Sequence, residues 1–153
     1  MLTKYMKPLA GLFLCLISGI GVFAQTGRFQ QAVDYQMEVS MDVKTNRYTG
    51  TQVLTYTNNS PDTLNRVFYH LYYNAFQPGS MMDVRSRTIA DPDRRVGDRI
   101  SLLTPEEIGY LHVKSLTKDG KAVKFNEEET ILVVDLDQPI LPNSKATFEM
   151  AFE

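Results

Sequence analysis

From residue 35 the chain alternates without a fault. Tyr35, Met37, Val39, Met41 and Val43 are apolar, while Gln36, Glu38, Ser40 and Asp42 are polar. A period of two over this length predicts a strand with one buried face and one wet face. Lys44, Thr45 and Asn46 follow as a polar turn. A second strand runs from Arg47 to Thr57, with Leu54 and Tyr56 on one face and Val53 on the other. Gly50 interrupts it, and an isolated glycine in a strand marks a bulge or a close backbone approach. Asn58 to Asp62 forms a turn, because Asn and Asp bond to nearby backbone and Pro61 fixes φ. The third strand, Leu64 to Tyr73, is apolar and aromatic on both faces. It predicts either a central strand covered on both sides or a strand packed against a neighbouring domain.

The pattern stops after Phe76. Pro78 to Leu103 shows no sustained period, as expected of a functional or a disordered connection. Thr104, Pro105 and Glu107 then spell a short helical turn, with a Thr N-cap, Pro at the first position and Glu closing a capping box, ended by Gly109. Alternation resumes over Tyr110–Thr117. Asp119-Gly120 makes a tight hairpin turn into Lys121–Phe125. Ile131–Leu136 is a further strand, ended by Pro139 and Pro142, and Lys145–Glu153 is the last. The reading is an all-β fold, an antiparallel sheet or sandwich of about seven strands with no long helix in its body. Glu153 falls in mid-alternation with no turn or cap after it. The expectation is a last strand without partners and a domain incomplete at its C-terminal end.

The amino-terminal segment follows a different pattern. Lys4 and Lys7 precede an apolar stretch from Leu9 to Phe23, and Val22 and Ala24 occupy the −3 and −1 positions of a cleavage site before Gln25. This is the layout of a cleaved secretory signal peptide over residues 1–24. The stretch of about fifteen residues is shorter than the roughly 20 that span a bilayer. Cys15 lies inside the run after Leu12, Phe13 and Leu14, so it reads as an apolar signal residue rather than a lipidation site. The expected location is periplasmic or secreted, with membrane contact only during export. The remaining domain, residues 25–153, has no cysteine, and an exported domain without disulfides must rely on its core.

Composition narrows the chemistry. The 153 residues carry 16 basic and 18 acidic side chains, with 43% hydrophobic and 22% charged residues, an ordinary globular balance. Without a basic excess, electrostatic binding of nucleic acid is not expected. His70 lies in an aromatic strand with no ligand-type residue at metal spacing, and His112 is similarly placed. With Cys15 they cannot make a conventional zinc site. Glu127, Glu128 and Glu129 read as a solvated turn. Asp91, Asp93 and Asp98 faintly resemble a calcium cluster, but Arg94 and Arg95 sit among them and the EF-hand spacing is wrong. Met81 and Met82 read as local packing, although methionine also suits adaptable contact surfaces. Asn58-Asn59-Ser60 matches a glycosylation sequon that Pro61 follows at once. No nucleophile elbow, phosphate-binding glycine loop, H-E-x-x-H or pair of catalytic carboxylates is present. These residues yield no catalytic, cofactor-binding or metal site.

The segment from Asp34 to Phe76, DYQMEVSMDVKTNRYTGTQVLTYTNNSPDTLNRVFYHLYYNAF, resembles the opening of an aminopeptidase N-type zinc metallopeptidase, in particular exported versions from Bacteroidetes-like bacteria. Tyr35–Val43 with Tyr48-Thr49-Gly50 resembles the family's first hairpin. Asn58–Leu64 is similar to its following turn, and Tyr69–Phe76 (YHLYYNAF) with Gln77-Pro78 is the most specific string. Glu107-Ile108-Gly109-Tyr110-Leu111 and the later hairpin extend the likeness over nearly all of residues 30–153. The resemblance implies a saddle-shaped N-terminal β domain that covers and docks on a separate catalytic domain. That domain, which would hold the zinc through H-E-x-x-H and a downstream Glu, is the implied partner, and peptides are the implied substrate of the whole enzyme. No catalytic or zinc-binding residue falls within this chain, and zinc is expected only in the full-length parent. Two rival readings remain. One is an independent exported β-sandwich module that binds a peptide, glycan or partner protein. The other is a surface-assembly subunit completed by another chain's strand.

Overall fold

The computed structural model describes residues 29–90 and 93–153. The signal-peptide segment, with its cleavage site and Cys15, lies outside them, as does Asp91.

Among the described residues, eight strands form two antiparallel sheets. β1 (Ala32–Asp42) and β2 (Arg47–Thr57) make a hairpin in unbroken register over their whole length. Asn46 closes it at φ 56°, a left-handed conformation that Asn tolerates. β3 is Leu64–His70, β4 Val113–Lys118, β5 Lys121–Ala122, β6 Phe125–Glu128, β7 Ile131–Ile140 and β8 Lys145–Phe152. The larger sheet runs β1-β2-β8-β4-β5 and the smaller β3-β7-β6. This bears out the all-β, antiparallel expectation.

Register decides which side chains meet. Tyr35 stands opposite Leu54, which stands opposite Phe148, and Met37 lines up with Gln52 and Met150. Opposed residues share a face, so these belong to the inner surface of the larger sheet. Leu54, Leu116, Ala146, Phe148 and Met150 are buried there. Leu132, Val134, Leu136 and Ile140 of β7 meet them, with Val67 and Tyr69 of β3 alongside. Tyr69 packs edge-on against Phe148, with ring centroids 6.2 Å apart. Burying a side chain of this size is worth about 2–3 kcal/mol relative to leaving it exposed.

Gly50 is the close approach rather than the bulge, because the register passes through it unbroken to both neighbours. A Cβ there would lie 2.6 Å from the Phe152 ring and 2.9 Å from the Glu38 carbonyl oxygen. Only glycine lets the Phe152 ring lie across the strand. At the other end of β2, Asn58 ties the sheets together. Its Nδ2 donates to the carbonyls of Asp62 (2.8 Å), Leu141 (3.1 Å) and Ile140 (3.4 Å). Its Oδ1 accepts from the Ser60 amide, the Ser60 hydroxyl and Gln31. A fully buried amide engaged in this way is not a glycan acceptor, so the sequon is structural.

Several expectations need correction. The third strand stops at His70. Leu71 then turns into the core, and Tyr72–Phe76 forms a 3-10 turn. β3 is accordingly an edge strand, not a central one. The connection 78–103 contains a helix, α1 (Met81–Thr88), and a 3-10 turn, Arg99–Leu102. The expected helical turn after Thr104 is only a turn, although Glu107 does accept the Thr104 amide at 3.0 Å. The return from Gly120 is two strands, because the chain leaves the larger sheet after β5 and enters the smaller at β6. That raises the count to eight. β7 continues past Pro139 to Ile140, and the proline falls where the β3–β7 register shifts. Glu127 and Glu128 lie on β6, leaving only Glu129 in the turn. Finally, β8 is paired on both sides, by β2 and β4, and Glu153 exchanges two backbone hydrogen bonds with His112. The expected unpartnered last strand is absent, and with it the ground for a subunit completed through that strand.

Candidate docking surfaces

No cluster of chemical groups takes shape around the histidines. His70 stacks on Tyr72, with ring centroids 5.0 Å apart and planes nearly parallel. His112 lies under Tyr110, and its Nδ1 is 3.1 Å from a Glu127 carboxylate oxygen. The other Glu127 oxygen accepts the Val113 amide at 2.9 Å, so this carboxylate joins the start of β4 to β6. Asp93 is held by Arg95, and Asp98 precedes the 3-10 turn at Arg99. Among the described residues no three His, Cys, Asp or Glu side chains gather where they could hold a metal ion.

The resembling string Tyr69–Phe76 turns out to be architectural. Asn74 accepts the Leu111 amide at 2.8 Å and donates to the carbonyls of Leu111 (3.3 Å) and Glu129 (3.1 Å). It thereby pins the 3-10 turn to two distant segments. Leu71, almost wholly buried, donates its amide to the Thr130 carbonyl at 2.7 Å. The next turn carries a similar lock. The Ser80 hydroxyl caps α1 by accepting the Asp83 amide, and it donates to the Ala75 carbonyl at 2.6 Å. Buried Asp83 takes two bonds from Arg87 and one from the Gly79 amide. The Arg87 bonds, then the Gly79 amide, hold its carboxyl below the ordinary value of 3.8. Sequence reasoning missed this helix although Ser80-x-x-Asp83 is a readable capping box. Its apolar residues, Met81, Met82 and Val84, have no buried face to reveal.

What both sheets present is uncovered apolar surface. On the outer face of the smaller sheet, Phe68 is 60% exposed opposite Val133, between the Arg66–Asp135 ion pair and the His70–Tyr72 stack. Tyr72 and Tyr73 continue this aromatic surface into the 3-10 turn. On the larger sheet, the inward-facing row of β1 extends beyond the cover of the smaller sheet. Val33, Tyr35, Met37, Val39 and Met41 are each 45–54% exposed. The alternation expected of β1 is there in register, but the face expected to be buried is exposed along its whole length. Beside this row lie two buried polar atoms without partners, Gln52 Nε2 and the Tyr69 hydroxyl. Burial, with a smaller contribution from Tyr35, raises the Tyr69 pKa well above the ordinary tyrosine value.

No protein-family profile matches the chain, and no curated protein matches it. Among solved structures it is similar to a mutant of a two-domain M1 zinc metallopeptidase bound to L-tryptophan, with TM-score 0.48 and 12% identity. It is also similar to an M1 zinc metallopeptidase mutant from Deinococcus radiodurans bound to a Tyr-Ser-Ala substrate, again with TM-score 0.48 and 12% identity. Each match covers 82% of this chain, which spans about a fifth (21%) of the matched chains.

Proposed function

We propose that residues 25–153 form a non-catalytic N-terminal β domain of an exported zinc-dependent aminopeptidase, following a signal peptide cleaved after Ala24. The domain covers and docks on a catalytic domain carried by the same polypeptide. That second domain holds the zinc and removes amino-terminal residues from peptides. The family rests on the resemblance of Tyr69–Phe76 and its flanks. The observation that carries the docking role is the outer face of β3, where Phe68, Tyr72 and Tyr73 stand exposed together. Contiguous apolar surface of this kind marks contact with another protein surface.

The decisive test is the coding DNA beyond codon 153. The reading predicts an open frame that continues in register to an H-E-x-x-H helix and a downstream Glu. A stop directly after Glu153, or a continued frame without that motif, overturns it. Export is tested separately by amino-terminal sequencing of the processed protein, which should begin at Gln25.

A further inference from the structure

Open strand edges are hazardous, because a row of unpaired N–H and C=O groups recruits further strands. Soluble proteins blunt them with proline, lysine, bulges or short length. β1 has no proline, lysine, bulge or short length, and its only charges are the carboxylates of Asp34, Glu38 and Asp42. It is eleven residues long (AVDYQMEVSMD), contains no Pro, Lys, Arg or Gly, and pairs with β2 without a break. As the first strand of the larger sheet, it has no strand on its outer side among the described residues.

The two faces of this edge differ in chemistry. The inner row is the exposed apolar row of Val33, Tyr35, Met37, Val39 and Met41. The opposite row is Asp34, Gln36, Glu38, Ser40 and Asp42. Across from Asp34 and Glu38 on β2 stand Thr55 and Thr51, so neither carboxylate faces a cation there. Only Asp42 has one opposite, Arg47. A strand laid along this edge would therefore meet apolar side chains on one face and a row of carboxylates on the other.

We propose that the outer edge of β1 receives an extended polypeptide segment in which apolar residues alternate with lysine or arginine, paired as a sixth strand of the sheet. Main-chain hydrogen bonds supply the attachment and the alternating side chains supply selectivity, as in other strand-addition complexes. A second copy of this chain is the poorer occupant. Antiparallel pairing of β1 with itself would set two acidic rows side by side, and like charges across a strand pair are destabilising. The inference is read from β1 alone and stands independently of the aminopeptidase reading, whose test concerns the coding DNA.

The experiment uses the full chain and three labelled peptides of about eight residues, read by fluorescence anisotropy. One alternates lysine with valine, one alternates glutamate with valine, and one repeats the lysine peptide with backbone N-methylation at alternate residues. The lysine peptide should bind at least about ten-fold more tightly than the glutamate peptide, and high salt should weaken it. N-methylation should abolish binding. The combined variant Asp34→Asn, Glu38→Gln and Asp42→Asn, all at exposed positions, should cut the preference to below about three-fold while leaving the circular dichroism spectrum unchanged. Equal binding of the lysine and glutamate peptides, undiminished binding after N-methylation, or no binding of the lysine peptide overturns the proposal. So does a free chain that elutes as a dimer and becomes monomeric on Met37→Lys, which would make a second copy the occupant.

Discussion

Removing the Asn58 amide should loosen the joint between the two sheets. Asn58→Ala deletes two good donations, at 2.8 and 3.1 Å, a marginal one at 3.4 Å, and the acceptor for Ser60 and Gln31. A net hydrogen bond contributes about 1 kcal/mol, and a buried group left unpaired costs about 1–3 kcal/mol. The Asp62 carbonyl keeps a 3.3 Å contact from the Ser60 hydroxyl, which softens one loss. The Leu141 carbonyl likewise keeps the Ser144 hydroxyl at 2.7 Å. The Ser60 amide has no such substitute at this joint, so the total comes to about 2–3 kcal/mol. For a domain of this size that lowers Tm by roughly 10 °C. Asn58→Asp should cost more still, because it turns the donating amide into a carboxylate facing three carbonyl oxygens. Urea denaturation, with the slope checked for constancy, reads both variants. A loss below about 1 kcal/mol for Asn58→Ala, or an Asp variant as stable as wild type, would refute the view that this amide fastens the sheets.

Three further outcomes follow from the same structure. Gly50→Ala should destabilise by about 1–3 kcal/mol through overpacking, and Phe152→Leu in the same chain should recover part of that loss in a double-mutant cycle. Tyr69→Phe removes a buried hydroxyl that has no partner, so stability should hold or rise by about 1 kcal/mol in denaturant titration; a loss would reveal a bond to that oxygen. Asp83 has a folded pKa below its ordinary value of 3.8, so its contribution is present above that pH and lost as pH falls through the folded value. Asp83→Asn should therefore narrow the stability difference from wild type on the acid side, and a difference that stays constant from pH 7 to about pH 2 would refute the coupling.

Much of this fold could be read before any coordinates. β2 begins at Arg47 and ends at Thr57 as alternation and turn chemistry predict, and Asp119-Gly120 turns with both residues at positive φ, 50° and 75°. Alternation reports which side chains share a face, but not whether anything lies over it. That is why β1 could be placed and its exposure could not. Apolar residues on both faces of the third strand likewise pointed either to a central strand or to one packed against a neighbouring domain; β3 lies at an edge, with Phe68 in the open. α1 escaped because it is held by the Ser80 and Asp83 side chains rather than by an apolar stripe. The surfaces that could bind a partner were hidden for the same reason as the exposure of β1. Pairing partners are a property of the whole chain, and no local pattern records them.

The placement of β8 also sets the order in which the molecule can assemble. β2 and β4 belong to one sheet yet share no direct pairing, since β8 lies between them. Until residues 145–152 are in place, the β1–β2 hairpin and the β4–β5 hairpin are separate pieces with no common hydrogen bonds. The joining contacts close loops of roughly ninety residues for β2 and about thirty for β4, an entropy cost that has to be met before the sheet gains its centre. Folding of this domain should therefore be late and cooperative, with the last strand acting as the keystone that turns two local hairpins into one sheet.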